Sequence, residues 1–266
     1  MAPDAALVAD ELPDLDDRLV EPGTPYEMWD GELVHVSPAD PPHGTRQLQL
    51  GALIEAHTGP EFEAADDLLT RTSKVDDIAP DVSVYPAAPD PRTRGRQIGH
   101  LAFEIVATQS LGRAGKKAAK LVGRGVRRVF AIDVERSRAL EWSAERGAWC
   151  ELDPAGHIED PALAVALPIE ALIHDAKADD AVARALLAKD NPVLAGSRAE
   201  GRAEGRAEGM AEGMARAVIV LLAARGVAVD GAARERILAE RDPQQLHRWI
   251  VRAASCTTTA ELLADD

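Results

Sequence analysis

Aromatic residues make up only 3% of the 266-residue chain: three Phe, two Tyr and four Trp. The core must therefore be built mainly from Ala, Val, Leu and Ile, and a 46% hydrophobic content over this length can supply one. Cysteine is as scarce. Cys150 and Cys256 are too few for a disulfide framework or a zinc cluster, so a reduced cytoplasm is the expected location. Long apolar runs are missing too. The best, Ala217 to Ala224, is short and ends at Arg225, so no membrane span is expected. The first residues are acidic rather than basic-then-apolar, which argues against a secretory signal.

Positive charge is in deficit, with a net charge of −15 that by itself argues against a nucleic-acid partner. The distribution says otherwise. Residues 1–40 hold eleven acids and one base, whereas residues 92–138 hold twelve bases and three acids. The overall charge hides a basic region, which reads either as a solvated helix face or as a phosphate-contacting surface.

Along the chain, residues 1–22 read as a flexible acidic lead. Tyr26 to Ser37 predicts a hairpin turning at Asp30-Gly31. A helix is expected over Thr45–His57, short strands near Leu68–Val75 and Val82–Tyr85, and a further strand over His100–Ala107. In the next helix, about Arg113–Arg124, Ala114, Ala118, Leu121 and Val122 fall on one face and Arg113, Lys117, Lys120 and Arg124 on another. Strands over Arg128–Asp133, Ala139–Trp142 and Trp149–Leu152 complete a mixed α/β domain over residues 23–175. Residues 176–197 form a helical connector, and residues 198–266 a helical association module.

That module opens with a repeat: RAEG, RAEG, RAEG, MAEG, MARA. A four-residue period nearly matches the helical turn, so Gly201, Gly205, Gly209 and Gly213 form one slowly drifting stripe. Four glycines cost a helix roughly 4 kcal/mol relative to alanine. Close pairing with a neighbouring helix or a second copy would offset that, giving a homodimer or higher homo-oligomer; an unpartnered linker helix is the alternative. Asp242-Pro243 and Thr258-Thr259-Ala260-Glu261 mark the starts of two short helices.

One residue interrupts the pattern. Leu101 to Thr108 reads as a buried strand, yet it carries Glu104. A carboxylate there must be paired, metal-bound or protonated, because an unpaired buried charge costs several kcal/mol or more. Pro80-Asp81 opens the preceding strand, and a helix with Lys116 and Lys117 follows. Two carboxylates on adjacent strands could hold Mg²⁺, which prefers oxygen ligands and acidifies a bound water. A lysine could position that water or stabilise the transition state of phosphodiester hydrolysis. Lys116, Lys117, Lys120 and Arg124 could equally contact phosphates without reading sequence.

Asp30-Gly31-Glu32-Leu33-Val34, Ser37-Pro38, His43, Pro80-Asp81-Val82, Phe103-Glu104-Ile105-Val106, Lys117 and Gly125-Val126 leading into Val129–Asp133 follow in one order. That series, over about residues 20–155, resembles the Uma-two family of bacterial endonucleases in the PD-(D/E)xK restriction-endonuclease-like superfamily. The resemblance implies a mixed sheet flanked by helices, with Asp81 and Glu104 as ligands for Mg²⁺ or Mn²⁺. The superfamily lysine, two residues beyond the glutamate, is Val106 here, and its role is implied to pass to Lys117. Glu32 and His43 match further polar positions. Departures exist: Ala107-Thr108 and Arg113-Ala114 replace a Ser-Pro and an aspartate-bearing loop, and Leu121 replaces a tyrosine. The expectation is an Mg²⁺-dependent DNA endonuclease. The alternative is a catalytically weak, nuclease-derived DNA- or protein-binding module that oligomerises through its tail.

Overall fold

Asp30 and Gly31 both adopt positive φ, 50° and 82°, a turn whose twist suits a tight hairpin. It joins β1 (Tyr26–Trp29) to β2 (Glu32–His35), with Trp29 opposite Glu32. The structure is a computed structural model that describes residues 12–36, 41–106 and 111–264. Ser37-Pro38 and Ala107-Thr108 lie outside the described residues.

The chain divides into two compact units between Asn191 and Pro192. In the first, a six-stranded sheet runs β10-β9-β8-β7-β6-β3. Its strands are β3 (Phe62–Asp66), β6 (Val82–Pro86), β7 (Leu101–Val106), β8 (Arg128–Asp133), β9 (Arg138–Ser143) and β10 (Ala148–Glu151). Only β7 and β8 pair in parallel, and α2 (Leu111–Arg124) connects them. The other ladders are antiparallel, so the sheet is mixed. A four-stranded sheet pairs the hairpin with β4 (Thr70–Arg71) and β5 (Asp77–Ile78). A two-stranded sheet joins β11 (His157–Ile158) to β12 (Leu167–Pro168).

Alternation along β7 sets the layers. Phe103 and Ile105 face a core with Leu50, Leu53 and Ile54 of α1 (Pro41–His57). Ile169 and Leu172 of α3 (Ile169–Ile173) and Ala178 and Ala181 of α4 (Asp175–Ala188) complete it. Ala102 and Val106 face the opposite way, against α2. Glu104, between them in period two, lies on the α2 side.

The structure departs from the sequence reading in several places. The first helix starts at Pro41 rather than Thr45; proline is tolerated in a first turn, where its missing N–H costs no helical bond. Phe62–Asp66 is a strand although Glu63, Ala64, Ala65 and Asp66 have little β preference, because pairing with β6 from Phe62↔Pro86 to Asp66↔Val82 imposes it. The described part of the acidic lead is anchored rather than loose. Leu19 and Val20 donate their N–H groups to Asp77 Oδ2 at 3.0 and 3.3 Å, and Val20 is buried. The stretch expected as a connector is shared between the units, with α4 in the first and Pro192 starting the second.

In the second unit, α5 (Pro192–Ala224) runs through the whole repeat. Its distal Ala211, Ala215, Val218 and Leu222 pack with Ile237 of α6 (Gly231–Ala239), Leu246 and Trp249 of α7 (Pro243–Ala253) and Leu262 of α8 (Thr259–Leu263). Side-chain caps start these helices: Asp230 accepts from Ala233 N, Asp242 from Gln244 N, and Thr258 from Glu261 N. Residues 195–210 of α5 are exposed, and a Cβ added at Gly201, Gly205, Gly209 or Gly213 would meet nothing within 4 Å. Among the described residues, no helix is long and apolar enough to cross a membrane.

Candidate active site

Glu104 has no exposed surface and Lys117 is 8% exposed. Lys117 Nζ donates to Glu104 Oε2 at 3.1 Å and lies 3.0 Å from Oε1. Oε1 is buried and has no hydrogen bond of its own. On the other side, Lys117 Nζ lies 3.4 Å from Oε1 of Glu27, a β1 residue only 5% exposed. Burial pushes the Glu104 carboxyl up to about 8; Lys117 opposes this, and the charges of Asp81 and Glu27 add to it. Burial alone would lower the Lys117 ammonium, but Glu104, Glu27 and Asp81 outweigh it and hold it above the usual lysine range.

Asp81 reaches the same place from the start of β6. Its Oδ2 accepts the Ile105 N–H at 2.5 Å, which fixes the carboxylate beside the residue following Glu104. His43 Nε2 lies 3.6 Å from Asp81 Oδ1, and Gln47 Nε2 donates to the Asp81 carbonyl at 3.3 Å. Two more acids crowd in at the end of β3, Asp66 within it and Asp67 just beyond. Burial raises the carboxyl of Asp66, and Asp81 raises it further. Burial likewise raises Asp67, against a hydrogen bond from Gln47. The group is acid-rich and holds a single ammonium.

The basic stripe of α2 runs from exposed Arg113 through buried Lys117 to half-buried Lys120 and Arg124, and each member has a partner. Arg113 stacks over the Trp29 ring, 5.5 Å from its centroid, and Lys117 reaches Glu27 and Glu104. Lys120 Nζ binds Asp30 at 2.6 Å and Asp76 at 2.7 Å, and Arg124 donates to the Pro13 carbonyl at 2.6 Å. Each member of the stripe meets the hairpin, the small sheet or the anchored lead. Ion pairs among the described residues thus join the amino-terminal part to the basic region: Asp16–Arg96, Glu27–Lys117 and Asp30–Lys120. Burial pushes the Asp76 carboxyl up, but donors from Asp30 N, Lys120 and Ser73 outweigh it and hold it below the usual range.

The structure therefore brings Asp81, Glu104, Lys117 and His43 together. Glu32 stays exposed on β2, and Lys116 is exposed on α2. Lys120 and Arg124 are engaged with Asp30, Asp76 and the Pro13 carbonyl. Glu27, Gln47 and Asp67 belong to the group and were missed. For Glu27 a signal existed: it alternates with Trp29 in β1, which puts it on the same side of the strand as a large aromatic.

Among the described residues no group of three or more His, Cys, Asp or Glu side chains is arranged to hold a metal ion. The donor chemistry nevertheless fits a hard cation at Asp81 and Glu104. Both offer carboxylate oxygens, Glu104 Oε1 being met by the Lys117 ammonium and Asp81 Oδ1 by His43, and Mg²⁺ is commonly bound through one or two carboxylates with waters completing its shell.

No curated protein matches the chain. A crystal structure described as a putative nuclease of the DUF820 group from Anabaena variabilis is similar, with 16% identity and a TM-score of 0.46. The similarity covers 56% of this chain and 89% of that one. Residues 9–171, more than half of the chain, match the Uma2 family, described as "Putative restriction endonuclease". The chain belongs to the Uma2 family.

Proposed function

We propose that this member of a nuclease family is a metal-dependent endonuclease that hydrolyses phosphodiester bonds in DNA, with Mg²⁺ as the working cation. One observation carries the reading: Glu104, fully buried in an apolar strand, is brought together with the Asp81 carboxylate and the Lys117 ammonium. An apolar strand retains such a residue at a cost of several kcal/mol unless a charge partner or a function offsets it.

When bound between Asp81 and Glu104, the cation would acidify a water and offset the charge that builds on the phosphate. The chain's own residues supply the rest. The Ile105 N–H fixes the Asp81 carboxylate. Lys117, held protonated by three carboxylates, offers N–H donors to the attacking water or to a phosphate oxygen. His43 stands behind Asp81 and orients it. Exposed Lys116 gives the substrate a sequence-independent phosphate contact. The exposed glycine stripe of α5 pairs with the same stripe of a second copy, making a homodimer or higher oligomer in the cytoplasm.

A second reading has its own observation. Lys117 contacts both oxygens of Glu104, so the site already holds a cation of its own. On that reading the domain binds DNA or protein without cutting. Incubating the full-length protein with plasmid and single-stranded DNA in Mg²⁺, Mn²⁺ or EDTA separates the two. Metal-dependent cleavage supports the nuclease, and binding without turnover supports the module.

A further inference from the structure

Glu27 is the one buried carboxylate of the group that neither the family motif nor the metal chemistry accounts for. Both its oxygens are fixed: Oε1 accepts the Ala79 N–H at 2.9 Å, and Oε2 accepts Trp29 Nε1–H at 2.8 Å. The first donor comes from just beyond β5 and the second from Glu27's own strand. An acid anchored from two directions is a poor candidate for moving toward a ligand and a good one for holding something else still. What it faces is Lys117 Nζ, 3.4 Å from Oε1.

We propose that Glu27 is a positioning residue for Lys117. The ammonium sits between an anchored carboxylate, Glu27, and a buried carboxylate, Glu104, both of whose oxygens it contacts. Any cation drawn to Glu104 competes with Lys117 for the same oxygens. A lysine with Glu104 as its only partner would then be buried without a counter-charge and would swing away. Glu27 prevents this. It keeps the ammonium beside the site while Glu104 takes up its other partner. The cation–π contact of Arg113 on Trp29 stabilises the ring that orients Glu27, so the hairpin and α2 share one arrangement.

The inference rests on the nuclease reading, and the test keeps the two apart. A double-mutant cycle is made in the full chain with Glu27→Gln and Lys117→Met, and read in two ways. The first is the rate of plasmid cleavage in Mg²⁺ beside DNA affinity in the absence of cleavage. Glu27→Gln should slow cleavage about tenfold or more while affinity changes by less than about twofold. In the Lys117→Met background it should cost nothing further, because a residue that acts only through Lys117 has nothing left to act on. The second readout is thermal melting without DNA or metal, where the double variant should lose less than the sum of the single losses.

If Glu27→Gln does not fold, Trp29→Phe provides the substitute. It deletes the donor to Oε2, keeps the charge, and should slow cleavage by a smaller factor. Additive losses in the melting cycle, or a Glu27→Gln enzyme as fast as wild type, overturn the inference. A wild-type protein that never cuts, with a coupled melting cycle, overturns the nuclease reading and leaves the Glu27–Lys117 coupling standing.

Discussion

Lys117 Nζ stands 3.0 Å from Glu104 Oε1 and 3.1 Å from Oε2, so one ammonium touches both oxygens of a carboxylate with no exposed surface. The pair answers the puzzle of an acid in an apolar strand. It leaves Glu104 as the group in the fold that gains most from taking up either a proton or a second cation.

The proton makes a stability prediction. The Glu104 carboxyl is raised from 4.5 to about 8 in the fold. Between those values the native state binds more protons than the unfolded chain, so this group makes stability fall as pH rises through that window. Lys117, raised from an already higher value, does not titrate in either state there. His57 and His100, both lowered, first of all by burial, act in the opposite sense below 6.5. Comparing wild type with Glu104→Gln cancels them. Metal-free denaturant unfolding should show the variant gaining on wild type as pH rises, with a spread of a few kcal/mol by pH 8. Parallel curves would show that Glu104 keeps its charge throughout.

The three lysines of α2 should separate cleanly. Lys117→Met should slow cleavage about a hundredfold or more, to a residual rate that can still be read, while leaving DNA affinity within about twofold. Exposed Lys116→Ala should weaken binding at low salt and reduce the salt slope by about one. Lys120→Ala should instead lower the melting temperature, because it leaves buried Asp76 without its ammonium. Fluorescence anisotropy over a salt series and melting curves distinguish these outcomes, and a shared binding defect would return all three to phosphate contact.

Much of this site could be read in the sequence. Glu104 was conspicuous because it broke an apolar run and Asp81 because it opened the preceding strand, whereas the choice of Lys117 among the lysines of α2 rested on the family resemblance. What could not be read was apposition. A stripe of Arg113, Lys117, Lys120 and Arg124 says that a helix edge is basic, not that it will meet Trp29, Glu27, Asp30, Asp76 and the Pro13 carbonyl. Those partners lie from about 40 to more than 100 positions away, and no local periodicity encodes them. The alternation of Glu27 with Trp29 was legible, but its apposition to Lys117 was not, and neither was β3, whose conformation comes from its neighbour strand.

Asp76 gives a second pH test at the acid end. Its carboxyl, held below 3.8 by Asp30 N, Lys120 and Ser73, contributes stability above that value and loses it as pH falls through the folded value. Asp76→Asn should destabilise by roughly 1–3 kcal/mol at neutral pH. The difference from wild type should shrink below pH 3.8. A constant difference across the acid range would assign the loss to packing.

For the tail, the structure leaves the glycine stripe bare within its own unit. Replacing Gly201, Gly205, Gly209 and Gly213 with alanine should strengthen an isolated helix by roughly 4 kcal/mol in total. If the stripe seats a second copy, the same change should lower the mass seen by light scattering even as helicity rises. Unchanged mass with raised helicity would mark the stripe as solvent-facing.

The central claim is that Asp81 and Glu104 form a metal-dependent phosphodiesterase site. Its most direct measurement is plasmid cleavage by wild type and by folded Glu104→Gln over a Mg²⁺ titration with an EDTA control. The account predicts cleavage by wild type that saturates with Mg²⁺ and stops in EDTA, and a variant slower by about a hundredfold or more at every Mg²⁺ concentration. A folded variant that cuts at the wild-type rate, or a wild type that binds DNA and cuts it with neither Mg²⁺ nor Mn²⁺, would contradict it.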